Sequence, residues 1–148
     1  MDGDQVSAPP TILLVSLGRN GGLPKYAAAI SEALEATNHR CISLCASGSE
    51  HPIAGAWRIP TYRNMLTLVL SSLLVLPLLL LFVATLRLVA RVRVVYFPYV
   101  HTWTPLLLLW ARLLGCRAVV TFHDYRPHFG EAGLMTRLIL WAASRLAT

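Results

Sequence analysis

The sequence is poor in charged residues and in cysteine. Charged side chains make up 14% of its 148 residues, against about a quarter in ordinary soluble domains. Its three cysteines do not form a disulfide framework, and Asp2 and Asp4 stand where a secretory signal has basic residues. Because His39, Cys41 and Cys45 match no standard zinc spacing, no metal site is predicted. These features favour a reduced, cytosolic setting.

Acidic residues are also scarce. Seven Asp and Glu oppose 13 Lys and Arg, which gives a formal net charge of +6. Such an excess suits nucleic acid, anionic lipid or a phosphate-bearing substrate. The arginines are dispersed among leucines rather than interleaved with aromatic residues, so a nucleic-acid partner is not predicted. Lipid and phosphate both stay open as ligands.

Hydrophobic residues, in contrast, reach 55% of the chain. Residues 1–10 end in two prolines and are predicted to be a disordered lead-in, and residues 11–148 form one domain. Apolar, β-branched runs alternate with segments of helical periodicity, which predicts an α/β fold with a parallel sheet and helices on both faces. The predicted strands are 11–16, 40–46, 57–59, 92–99 and 117–122. The predicted helices begin at Pro24, at Pro105 behind a Thr104 cap, and at Gly133.

The first helix has an apolar face and a glycine-rich entry. Its predicted inner residues are Tyr26, Ile30, Ala33 and Leu34. The turn Gly18–Leu23 matches neither the dinucleotide-binding Gly-x-Gly-x-x-Gly pattern nor a Walker A loop. The adjacent glycines still allow a ligand close to the backbone, where free N–H groups and the helix dipole favour an anion such as phosphate. A simple tight turn is the alternative.

The run Met65–Leu86 holds no charged residue. As a helix it is about 33 Å long, enough to cross a bilayer. A crossing would, however, place the strands before and after it on opposite sides, so that they could not share a sheet. Pro77 at the centre indicates a kink or a pair of helices. We therefore predict a membrane-associated helical segment over residues 65–89 that dips into one leaflet, with a true span as the alternative.

Polar side chains follow the last predicted strand without a gap. The stretch Val119–Glu131 begins as a buried strand and turns into a segment containing two His, an Asp, an Arg and a Glu. In open α/β sheets the ligand crevice lies beyond the carboxyl ends of the strands. The stretch is therefore a candidate site by position as well as by composition, although a solvated connecting loop would also fit.

Three motifs, taken in order, resemble the amino-terminal half of a GT-B glycosyltransferase of retaining family 4. The first is the glycine turn Gly18–Tyr26, similar to the family's Gly-Gly entry into its first helix. The second is the strand Val94–Phe97 followed by His101. The third is Thr121-Phe122-His123-Asp124, similar to the family's Thr-x-His-Asp and extended by residues 127–131. The resemblance covers the chain from about residue 11 to its end.

The resemblance implies a Rossmann-like acceptor-side domain, a nucleotide-sugar donor and no metal or other cofactor. His123 and Asp124 would be the catalytic pair, contacting the transferred sugar or acceptor and orienting the imidazole or loop. In this kind of enzyme the work is mostly positioning and diphosphate stabilisation. The other expected substrate-binding residues are Asn20, Gly21, Gly22, His101, Tyr125, His128 and Glu131.

Two features of the family are missing from residues 1–148. A family member has a carboxy-terminal domain with a nucleotide-binding Arg/Lys pair and a Glu-x7-Glu motif, and residues 1–148 supply neither. We therefore expect a fragment or one subunit of a split transferase, inactive without a carboxy-terminal half. The expected acceptor is lipid-linked or a glycan, at the cytoplasmic face of the cell membrane. The alternatives are a non-catalytic membrane anchor that recruits a catalytic partner, and a small integral membrane protein without a Rossmann sheet.

Overall fold

The computed structural model describes residues 10–37, 39–123 and 133–147. In chain order the elements are β1 (Thr11–Ser16), α1 (Gly22–Ala36), β2 (Cys41–Ala46), β3 (Trp57–Ile59), α2 (Met65–Val89), β4 (Val92–Phe97), α3 (Thr104–Leu113), β5 (Arg117–Val120) and α4 (Leu134–Leu146). The five strands form one sheet in the order β3, β2, β1, β4, β5, and every neighbouring pair is parallel. This is the predicted Rossmann-like α/β fold.

Helices cover both faces of this sheet, as the alternation of elements predicts. Successive residues of a strand point to opposite faces, and in β1 both directions are buried: Leu13 and Val15 pack with residues of α2 and α3, whereas Leu14 packs with Ala27 of α1. A strand that is buried on both sides needs a continuous apolar sequence, which is the pattern of residues 12–15.

Helix α1 differs from its prediction in its start and its inner face. It begins at Gly22, so Pro24 is its third residue rather than its first. Proline fits there because the N–H groups of the first helical turn have no partner within the helix. The inner residues include Ala27 and Ser31, while Ala33 is exposed. The Ser31 hydroxyl lies 3.0 Å from that of Ser43 on β2, so a polar pair replaces part of the expected apolar contact.

Helix α2 is a single helix of 25 residues, so the predicted helix pair at Pro77 is wrong. Pro77 is exposed, and so is Leu73, whose carbonyl would pair with residue 77 in an uninterrupted helix. Asn64 begins α2 with a reciprocal cap: its Oδ1 accepts from the Thr67 N–H, and its own N–H donates to Thr67 Oγ1, both at 2.9 Å.

Helix α2 has the length and apolar composition of a membrane span, but it connects two strands of the same sheet. It leaves β3 and enters β4, and β4 pairs with β1 from Ile12 to Leu14. The alternative of a small membrane protein without a Rossmann sheet is therefore wrong. Because β3 and β4 belong to one sheet, the two ends of α2 lie on the same side of any membrane.

The later boundaries also shift from their predictions. Helix α3 begins at Thr104, so Trp103 rather than Thr104 occupies the capping position. The Thr104 hydroxyl does not cap the helix but accepts from the His101 N–H at 2.8 Å. Strand β4 ends at Phe97, since Pro98 has no N–H to donate. Strand β5 ends at Val120, and the Thr121 N–H then donates to the Phe97 carbonyl at 3.0 Å.

Candidate functional site

The strand order fixes where a ligand crevice lies. After β1 the chain moves to β2 and β3 on one side, and α2 then returns it to β4 on the other side of β1. The connections that leave the carboxyl ends of β1 and β4 therefore diverge, which opens a crevice between them. Those connections carry Gly18–Gly21 and Pro98–Trp103.

Tyr99 joins the two connections. Its hydroxyl accepts a hydrogen bond from the Gly18 N–H at 2.7 Å and shares a hydrogen bond with Ser16 Oγ at 2.8 Å. A Cβ at position 18 would lie 2.9 Å from the Tyr99 oxygen, so only glycine fits there. Burial raises the pKa of Tyr99, and the phenol stays protonated. The sequence analysis missed this residue, because a tyrosine after a strand carries no distinguishing spacing.

A polar cleft of about 670 Å³ lies beside this contact. It is lined by the predicted residues Asn20 and His101 and by two arginines, Arg19 and Arg63; the guanidinium of Arg19 lies against Gly48. The remaining wall is Leu17, Gly18, Thr61 and Tyr62. Two arginines and an amide in one cleft suit an anionic or hydroxyl-rich ligand. The arginine contribution from the segment after β3 was missed, since Arg63 reads in the sequence only as a flank of the apolar run.

His101 is held neutral in this cleft. Burial lowers its pKa to about 4, because the imidazolium form loses its hydration there. The ring packs against Tyr62 and Trp103, with centroids 5.2 and 5.6 Å away. The Trp103 N–H donates to His101 Nδ1 at 3.3 Å, which makes Nδ1 the unprotonated nitrogen and leaves the proton on Nε2. His101 is therefore a neutral hydrogen-bond donor.

The glycine turn at the start of α1 is open but already holds an anion. Gly21 has φ +85°, which only glycine adopts without strain, and a side chain at Gly21 or Gly22 would meet no other atom within 4 Å. The Gly21 N–H donates to Oε2 of Glu50 at 2.9 Å, and the Glu50 N–H donates to the Arg19 carbonyl at 2.9 Å. A carboxylate of the chain thus lies at the helix N-terminus, where the sequence predicts a phosphate.

His123 lies on the other side of Tyr99. Its Nε2 lies 3.0 Å from the Pro98 carbonyl, and since a carbonyl only accepts, Nε2 carries the proton. Its ring meets that of Tyr26 on α1 edge-on, with centroids 4.4 Å apart. His123 also lines a small cavity of about 120 Å³ together with Leu23 and Tyr99. Asp124, Tyr125, His128 and Glu131 lie outside the described residues.

The predicted site residues therefore fall into two adjacent groups. Asn20 and His101 share the polar cleft, and His123 lies at the start of α1 near Leu23. Tyr99 separates the groups and touches both, through Gly18 and through the small cavity. Within residues 10–37, 39–123 and 133–147, no three His, Cys, Asp or Glu side chains are arranged to bind a metal ion.

Three comparisons with known proteins bear on this fold. The family described as Glycosyltransferase Family 4 matches residues 20–148. A crystal structure of MurG from Acinetobacter baumannii superposes with a TM-score of 0.62 at 16% sequence identity, over 95% of this chain and 40% of that one. The chain thus spans less than half the length of that protein, and the likeness concerns the fold. No curated protein sequence matches. The chain belongs to glycosyltransferase family 4, and its fold is that of a GT-B amino-terminal domain.

Proposed function

We propose that this chain is the acceptor-side half of a membrane-associated glycosyltransferase. In this role it binds a lipid-linked or glycan acceptor while a carboxy-terminal half binds a nucleotide-sugar donor, and it is inactive without that half. The observation that carries the proposal is the crevice at the carboxyl ends of β1 and β4, where a family 4 chain brings His101, Asn20 and two arginines together. The alternative, a membrane anchor without a catalytic role, has no need of such a crevice.

The two histidines of the site would bind the acceptor. The protonated Nε2 of His123 is fixed to the Pro98 carbonyl, so Nδ1 is left to accept a hydrogen bond from a sugar hydroxyl. His101 is neutral and donates through Nε2. The His101 imidazole therefore carries no charge that would have to be desolvated when the acceptor enters, which suits positioning of an uncharged hydroxyl.

The donor diphosphate would approach the start of α1. The N–H groups of the first helical turn and the helix dipole favour an anion there, and the open space around Gly21 and Gly22 admits one. To reach the Gly21 N–H, the diphosphate must replace the Glu50 carboxylate. Catalysis then rests on positioning and on stabilising the departing diphosphate.

The outer surface of α2 supports an association with membranes. Its exposed leucine stripe comprises Met65, Leu66, Val69, Leu70, Leu73, Leu74, Leu78 and Leu81, each about half exposed or more. The hydroxyl of Ser72, in contrast, faces the protein and accepts from Trp103 Nε1 at 2.9 Å. Leu76, Leu79 and Val83 supply the buried face of α2, so the exposed leucines add a second apolar face, which is stable against lipid rather than against water. Arginines at both ends of α2 suit anionic headgroups at the cytoplasmic face.

The proposal is tested by coexpressing the chain with a carboxy-terminal GT-B half and measuring sugar transfer to membrane lipid and glycan fractions. His123→Ala should abolish transfer, whereas His51→Ala, at an exposed histidine outside both groups, should leave it unchanged. Transfer that survives His123→Ala would overturn the catalytic role and support a membrane anchor instead.

A further inference from the structure

An apolar groove runs along the edge of the sheet, apart from the polar cleft. It has a volume of about 340 Å³ and lies between β3 and the middle of α2. Its walls are Trp57, Ile59, Pro60, Val75, Leu78, Leu79 and Phe82, with Arg58 as the one charged residue. Trp57 is 59% exposed and meets Phe82 edge-on, with ring centroids 5.2 Å apart. An open groove of this composition excludes polar ligands and favours a hydrocarbon.

One segment of the chain connects this groove with the cleft. Trp57–Pro60 lines the groove, and the next three residues, Thr61–Arg63, line the cleft. The linings of the two cavities therefore meet in the chain at the bond between Pro60 and Thr61. On its other side the groove is bounded by Leu78, a member of the leucine stripe of α2. A molecule in the groove would reach the membrane at one side and the polar cleft at its end.

We propose that this groove binds the hydrocarbon chain of a phosphate-linked acceptor lipid. The inference rests on the proposed function and specifies its acceptor. The lipid's hydrocarbon chain lies against Trp57 and Phe82. The acceptor's phosphate and sugar extend past Pro60 into the cleft.

The charges along this path match such a ligand. Arg58 stands at the groove, and Arg63 and Arg19 line the cleft beyond it. A guanidinium pairs with phosphate through parallel N–H bonds. An uncharged hydrocarbon such as a sterol would leave these arginines without a partner, and a free sugar phosphate would leave the apolar groove empty. A single chain that ends in a phosphate uses both.

The test measures quenching of Trp57 fluorescence by monomeric dibromododecyl phosphate, in the 148-residue chain. Bromine quenches tryptophan at contact, so saturable quenching that is lost in Trp57→Phe reports a chain in the groove. Leu78→Glu should weaken this binding about tenfold or more, because the bound hydrocarbon chain would bury the new carboxylate in the groove. The matched control is Leu74→Glu, one helical turn away: both leucines are 67% exposed, and Leu74 does not line the groove. It should change the binding less than about twofold.

Equal weakening by the two variants would mean that the amphiphile partitions onto the leucine stripe, and the groove proposal would be wrong. It would also be wrong if monomeric dihexanoyl phosphatidic acid, which carries no bromine, competed with the brominated probe and relieved the quenching as effectively as unbrominated dodecyl phosphate does, since the occupant would then be a bilayer phospholipid. Flotation of both variants with anionic vesicles tests membrane association, which belongs to the proposed function, separately from binding in the groove. Both should lose vesicle binding equally, so membrane association stands or falls independently of the groove.

Discussion

The Tyr99 hydroxyl accepts a hydrogen bond from the Gly18 N–H at 2.7 Å, across 81 positions of the sequence. The contact fastens the connection after β1 to the connection after β4 at the point where the two diverge. Gly18 is required because any side chain would collide with the phenol. Asn20 and His101 lie on the two segments that this contact joins, and His123 is bonded to one of them through the Pro98 carbonyl.

Tyr99→Phe should destabilise the fold by about 1–2 kcal/mol, because it leaves the half-buried Gly18 N–H without its acceptor. Urea unfolding followed by circular dichroism measures the change. Gly18→Ala should destabilise the wild type more than it destabilises Tyr99→Phe, since the oxygen nearest to the new methyl group is then absent. Additive effects of the two substitutions would show that the contact has no such role.

His101 should make stability depend on pH. Its folded pKa, about 4, is below its usual 6.5, so the unfolded chain binds more protons between these values. Stability is therefore full above pH 6.5 and falls as the pH drops toward 4. At pH 5.5 the loss attributable to His101 should be about 1 kcal/mol relative to pH 7.5.

His101→Gln should flatten that part of the unfolding profile, whereas His51→Gln, at an exposed position, should leave the profile as it is. If His101→Gln retained the full slope between pH 7.5 and 5.5, another group would be responsible.

Glu50 should compete with phosphate for the start of α1. Glu50→Gln removes the charge that lies on the Gly21 N–H, so inorganic pyrophosphate should bind more tightly, by about threefold to tenfold. The shift of the Gly21 amide resonance on titration reports the affinity. Glu32→Gln makes the same change of charge at an exposed residue further along α1 and should have little effect. An unchanged affinity in Glu50→Gln would place the phosphate elsewhere.

The leucine stripe should carry the membrane affinity. Replacing Leu70 and Leu74 together by Glu should lower the partition constant onto anionic vesicles by roughly 100-fold or more, from the lost burial of two leucines. Ala33→Glu adds a carboxylate to the exposed surface of α1, on the opposite face of the sheet, and should lower it far less. Equal losses would indicate that net charge, rather than the leucines, determines binding.

The sequence by itself determined the kinds of element and their order. Runs such as residues 12–15 are apolar at every position, as a strand buried on both faces requires, and helical periodicity separates them. Because parallel strands align their carboxyl ends, it also determined that Asn20, His101 and His123 follow strands at one edge of the sheet. Two helix features differ from the sequence prediction: the Thr104 hydroxyl accepts from the His101 N–H instead of capping α3, and the helix continues through the exposed Pro77.

Only the tertiary structure decided which of these loops meet. The crossing of α2 from β3 to β4 brings Tyr99 to Gly18, and a separate loop brings Glu50 onto the Gly21 N–H. It also decided that Trp57–Pro60 and Thr61–Arg63 line two cavities of opposite character. Contacts between distant residues leave no periodicity in the sequence, because they depend on the order of strands in the sheet rather than on spacing along the chain.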